Sequence, residues 1–168
     1  MGFLDAEDRL LLDFVYPDRV ESMLVTRRIV RRVILGIAQI IQQSSRVLAR
    51  VPAIQRTEIL VWEHLSALQP ESDGAASGSA GEDAASVRPP PPWPLLNKLD
   101  INTLPTSFNL RFESRNSVVT MGMSRPELHR LLANVRQLAR HAEWDLDTEV
   151  GWLVEADAPQ MHPEHLAS

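Results

Sequence analysis

Residues 19–50 read RVESMLVTRRIVRRVILGIAQIIQQSSRVLAR, and how this stretch winds decides the fold. From Ser22 to Thr57 the chain carries seven arginines (Arg27, Arg28, Arg31, Arg32, Arg46, Arg50 and Arg56) and no acid. Wound at about 100° per residue from Arg27, the apolar residues Ile29, Val30, Val33, Ile34, Ile37, Ile40, Ile41, Val47, Leu48 and Val51 gather in one sector, roughly 200° to 340°. The arginines other than Arg56 fall at roughly 0° to 140°, with Gln42 and Ser45 among them. The spacing predicts one long amphipathic helix, Arg19 to Arg50. Asp18 and Glu21 read as the capping box that opens it, and Val51-Pro52 ends or kinks it. Its apolar stripe needs a packing partner. Its acid-free face would meet solvent, acidic protein, nucleic acid or lipid headgroups.

Outward from that helix, Asp5 reads as the cap of a short helix from Ala6 to Val15, broken by Pro17. Gly36, mid-helix, costs up to about 1 kcal/mol against alanine and points to a close helix contact. A third helix, Ala53 to Leu68, places Ile54, Val61, Leu65 and Leu68 on one side, which predicts an antiparallel helical hairpin. The expected N-terminal module, residues 1–68, is therefore a helical hairpin or bundle.

The composition then changes. Residues 69–94 form a linker: Gln69 to Ser86 is rich in Ala, Ser, Gly, Asp and Glu, and Pro89 to Pro94 is a stiff polyproline run interrupted by Trp93. The run reads as a spacer, with Trp93 anchoring onto a flanking module. A second module, residues 95–155, has Phe108, Leu110 and Phe112 alternating with Asn109, Arg111 and Glu113, then a turn, then Val118 to Met123: a β-hairpin. Ser124 and Glu127 form a capping box for a helix to Glu143, with Pro126 in its first turn. Leu128, Leu131, Leu132, Val135, Leu138, Ala139 and Ala142 form its buried stripe. Arg125, His129, Arg130, Arg136 and Arg140 face the other way as a secondary basic face. The unit is a small ββα module closed by Trp144, with Val150 to Glu155 adding a strand or short helix and 156–168 an acidic tail. The fold class is thus α+β, mainly α, with no internal repeat.

Composition narrows the function. With no cysteine among 168 residues, disulfides, thiolate metal sites and a cysteine nucleophile are excluded, in keeping with the cytoplasm. The acidic start lacks the features of a signal peptide. The longest uncharged run, Val33 to Ser45, falls short of the about 20 apolar residues a membrane span needs. The net charge of −5 hides a segregation, since Glu143 to Ser168 holds seven acids and no Lys or Arg. Basic middle and acidic tail are suited to pair.

Catalytic signatures are lacking. No phosphate loop, nucleophile elbow or zinc helix occurs. His162 and His165, with Met161 and Glu164, sit close enough for a metal but supply too few ligands for structural zinc; no metal site and no cofactor is expected. His129 and His141 point about 120° apart and do not converge, and His64 reads as a helix-surface residue. The expectation is a non-catalytic protein–protein interaction protein, an adaptor, assembly factor or regulator. It would recognise a protein partner, acidic in character, and form a homo-oligomer. Ile29, Val33, Ile37, Ile40 and Ile41 would pack, and Arg27, Arg28, Arg31 and Arg32 would read charge. A nucleic-acid-binding regulator contacting phosphates is the first alternative, and a peripheral membrane-surface protein ranks behind it.

Overall fold

The computed structural model describes residues 1–70 and 89–158. Its first half opens with strands. β1 (Gly2–Leu4), β2 (Arg9–Val15) and β3 (Val20–Val25) form an antiparallel meander in that order. A 3₁₀ turn, Asp5–Glu7, joins β1 to β2 and ends at Asp8 with φ 48°, a left-handed conformation that a short polar side chain tolerates. Between β2 and β3, Pro17 and Asp18 sit at the corners of a tight turn closed by Tyr16 N–H donating to the Arg19 carbonyl at 2.8 Å.

The expected N-terminal helical bundle is therefore replaced by a sheet. The capping box of Asp18 and Glu21 does not form; Glu21 instead accepts from Arg19 at 3.0 Å and from Ser117 at 2.7 Å. The cause lies in Val20, Met23, Leu24 and Val25. Apolar residues at consecutive positions cannot share one helical stripe, but a strand covered on both faces buries them all. All four are buried, with Ser22 between them.

Helix α1 (Arg27–Ser44) starts where that run ends. Thr26 is its N-cap, and the Thr26 carbonyl accepts from Ile29 and Val30. It stops short of Arg50 because Ser44 donates back to the Ile40 carbonyl and Ser45 Oγ accepts from Leu48 N–H. Serine bonding to local backbone competes with the helix in this way. Helix α2 (Ala53–Leu68) has the expected bounds but not the expected neighbour. It buries Leu60, His64 and Ala67 against the second half rather than pairing its Ile54–Leu68 stripe with α1.

In the second half, β4 (Leu96–Thr103), β5 (Phe108–Ser114) and β6 (Val118–Met123) form another antiparallel meander, followed by α3 (Arg125–His141) and α4 (Gly151–Asp157). The β5–β6 hairpin and the Ser124–Glu127 capping box lie where the sequence put them. Strand β4 is an addition to the expected hairpin: Leu99 and Ile101 alternate with Lys98, Asp100 and Asn102, but a register irregularity between Leu96 and Lys98 interrupts the pattern. The second unit is βββαα, not ββα.

The chain has no sequence repeat, yet both halves follow one plan, a three-stranded meander and then two helices. The sheets meet where Leu24 bridges Leu95 in parallel, with Leu24 N–H donating to the Pro94 carbonyl at 2.9 Å. Helix α1 packs on α3, and α2 packs on α3 and α4. One hydrophobic cluster draws on both sheets and all four helices, with the Phe14 ring of β2 and the Phe112 ring of β5 centred 4.9 Å apart. Trp144 does not merely close the second unit. It donates to Asp8 at 2.5 Å and meets Phe3 edge-on, tying the end of α3 to the first sheet. Trp93 is half-buried and donates to the Pro89 carbonyl at 2.8 Å. The linker residues 71–88 and the tail from 159, which includes His162 and His165, lie outside the described residues.

Candidate functional site

Helix α1 divides its apolar residues between core and surface. Val30, Ile34, Ile37, Ala38 and Ile41 are buried. Ile29, Val33 and Ile40, one stripe over, are only half-buried. With Gly36 they form one wall of an open groove of about 230 Å³, whose other wall is Asn97, Lys98, Leu99 and Ile101 of β4. Of the five apolar positions proposed from sequence, Ile37 and Ile41 thus belong to the core and Ile29, Val33 and Ile40 to the groove. Gly36 is not a close helix contact: a Cβ added there would meet no atom within 4 Å. It widens the groove.

The four arginines at the start of α1 divide in the same way. Arg31 Nε donates to the Asp147 carbonyl at 3.0 Å, and its Nη2 lies 3.4 Å from the Asp147 carboxylate. The Arg27 guanidinium stands 5.9 Å from the Trp144 ring centre. Both hold the segment after α3 onto α1, which realises part of the pairing between basic middle and acidic tail. Arg28 and Arg32 are exposed and have no hydrogen-bond or ion-pair partner among the described residues. Arg32 lines the groove, and Arg28, four residues earlier, lies on the same side of the helix. Lys98 adds a third cation at the rim, paired with Asp100 at 2.8 Å.

The arginines of α3 are engaged inside the molecule. Arg125 grips Glu63 through Nε and Nη2 (3.1 and 2.7 Å), and its Nη2 also donates to the Ile41 carbonyl at 2.8 Å and its Nη1 to Ser44 Oγ at 2.9 Å. This joins α1, α2 and α3 at one point and satisfies a free carbonyl at the end of α1. Arg130 donates to the Ala67 carbonyl, the last turn of α2. Arg136 and Arg140 both clamp Asp157 at the end of α4. Burial opposes ionisation of Asp157, but the two guanidiniums override it and hold its carboxyl below the usual range.

Two histidines read from sequence as surface groups are the most buried polar pair. His64 of α2 is 3 % exposed and His129 of α3 is 1 % exposed, with their Nδ1 atoms 3.1 Å apart. One ring must donate and the other accept, so the accepting ring at least is neutral. Trp152 of α4 packs edge-on against both rings. Burial pushes the His129 imidazole down to about 3, with His64 and the Arg125 guanidinium adding to the effect. Burial lowers His64 too, reinforced by Arg136 and opposed by Asp157. The signal was present in the spacing Leu60–His64–Ala67, one turn apart on a single face, but the Ile54–Leu68 stripe outweighed it. His129 Nε2 lies 3.9 Å from Glu63, too far for a hydrogen bond. Among the described residues no three His, Cys, Asp or Glu side chains converge to hold a metal, and no helix is long and apolar enough to cross a membrane.

Comparison with protein-family models, with curated proteins and with solved structures finds no match to this chain.

Proposed function

We propose that this is a non-catalytic protein-interaction protein, an adaptor, assembly factor or regulator. Its α1–β4 groove takes an apolar segment of a partner that also carries acidic residues. The observation behind this reading is the division of the α1 arginines. Arg27 and Arg31 are engaged by the chain's own C-terminal segment, while Arg28 and Arg32 have no partner among the described residues and stand beside half-exposed Ile29, Val33 and Ile40. A charged rim around an apolar floor is how protein interfaces combine steering with desolvation. The lack of cysteine supports a cytoplasmic setting.

Selection of a random peptide library on the full chain tests this. The expected ligands interleave acidic with apolar residues, and the double variant Arg28→Glu/Arg32→Glu should weaken them at least about tenfold, or about 1.4 kcal/mol. Arg50→Glu, equally exposed, should leave binding unchanged. Peptides without acidic enrichment, or binding indifferent to the double reversal, would refute the reading. Preferential binding of duplex DNA or anionic vesicles through the same arginines would replace the protein partner by phosphate.

A further inference from the structure

The α1–β4 groove runs along an open strand edge. At the β4–β5 turn, Leu104 N–H donates to the Ser107 carbonyl at 2.9 Å. Asn102↔Asn109, Asp100↔Arg111 and Lys98↔Glu113 follow that pair at steps of two. In an antiparallel ladder such pairs exchange the main-chain bonds, and the residues between them turn N–H and C=O to the other side. Leu99, Ile101 and Thr103 therefore point theirs away from β5. The next hairpin gives the same result. Ser114 N–H donates to the Ser117 carbonyl at 2.9 Å, which commits Phe112, Leu110 and Phe108 to β6 and leaves Glu113, Arg111 and Asn109 for β4. Among the described residues β4 is the end of its sheet, and apart from the bridge just before it, at Leu95, it adjoins no further strand. No hydrogen bond among the described residues engages the main chain of Leu99 or Ile101 on this side.

Resting on the reading of this groove as a peptide site, we propose that the partner segment enters it extended and pairs with β4 as a further strand. The free amides and carbonyls of Leu99 and Ile101 are what such a strand needs and what a docked helix would leave unpaired. The cavity touches both Lys98 and Leu99, neighbours on opposite faces of the sheet, so it lies at the edge of β4 rather than on one face. Its far wall, from Ile29 to Ile40, is a stretch of helix about 16 Å long. That length matches about five residues of strand. Every second side chain of the segment turns towards Ile29, Val33 and Ile40. The side chains between them lie on the Lys98 face. Acidic residues there and at the ends of the segment complement Lys98, Arg32 and Arg28. Strand addition draws affinity from main-chain bonds and specificity from alternate side chains in this way. The motif is accordingly an alternation of apolar and acidic residues, not the three-and-four spacing of an amphipathic helix.

The probe is a peptide selected on the full chain whose binding depends on Arg28 and Arg32. In amide hydrogen exchange followed residue by residue, it should slow Leu99 and Ile101 at least about tenfold. Asp100, already paired with Arg111 in the ladder, should change much less. N-methylation of the peptide removes one main-chain N–H at a time. It should weaken binding at least about tenfold at every second residue and leave the residues between nearly unaffected. A peptide that keeps its arginine dependence but leaves the Leu99 and Ile101 amides exchanging as in the free chain would overturn the strand pairing alone. Equal sensitivity to N-methylation at all positions, or at none, would do the same, and the groove would stand as a peptide site of another kind. Failure to select any arginine-dependent peptide would overturn both.

Discussion

His64 and His129 show how burying a pair of imidazoles sets acid stability. Both imidazoles are held neutral by burial, so their folded values lie below the ordinary 6.5. A depressed group contributes stability that is fully present above the unfolded value. That contribution is lost as the pH falls through the window below it, here from 6.5 towards about 3 for His129. The loss should reach about 1.4 kcal/mol per pH unit for each histidine still neutral in the fold. Urea unfolding at a series of pH values should show the decline, and the double variant His64→Leu/His129→Leu should flatten it. Either single leucine variant should cost about 1 to 3 kcal/mol at neutral pH, because it strands the other ring's nitrogen in an apolar setting. A double variant no more stable than the singles would show that the pair is not coupled in this way. Arg125 belongs to the same scale. One guanidinium serves three helices, so Arg125→Ala should destabilise through Glu63 and the Ile41 carbonyl together, by about 2 kcal/mol or more, and Arg125→Lys, lacking the fork, should not restore the loss.

At the scale of elements, α1 is an amphipathic helix whose stripe is wider than its core contact. The surplus, Ile29, Val33 and Ile40, becomes the groove. Gly36 is the weak point of this helix, since it carries the backbone entropy of glycine without any close approach to require it. Gly36→Ala should therefore raise unfolding stability by about 0.5 to 1 kcal/mol in thermal or urea melts, and a loss of stability would place an undetected contact there. Gly36→Leu should fold and yet fill the groove, weakening any peptide selected on the native chain. Strand β4 and α1 form this wall together, although the chain separates them by some fifty residues. Helix α2 keeps the bounds its sequence announced but turns a different face inward, with Leu60, His64 and Ala67 replacing the stripe that stands outside.

At the scale of the whole molecule, contacts between distant segments hold the two βββαα halves together. Trp144 reaches Asp8 and Phe3, Arg31 reaches Asp147, and Ser117 reaches Glu21. Reversing Arg27 and Arg31 to glutamate should therefore lower the melting temperature, by several degrees for a loss of about 1 to 2 kcal/mol. The reversal of Arg28 and Arg32 should leave it nearly unchanged. Equal effects from both pairs would show that the division of the four arginines is not structural.

Much of this organisation was legible along the chain. The β5–β6 hairpin, the capping box of α3 and the bounds of α2 rest on local signals: strict alternation, a Ser-x-x-Glu spacing, and a proline at the start of an apolar periodic run. The amphipathic character of α1 was equally local, and so was the split between basic middle and acidic tail. What sequence could not settle is what lies opposite each apolar residue. Val20 to Val25 carries apolar residues at four of its six positions, three of them consecutive, and only the presence of layers on both sides makes it a strand rather than the first turns of α1. The same holds for the basic residues, since whether an arginine is free depends on a carboxylate or carbonyl brought up from far along the chain. Local propensity and spacing determined the ends and faces of the elements; tertiary packing decided which face was buried, which arginines were left over, and that α2 would keep Ile54 in water.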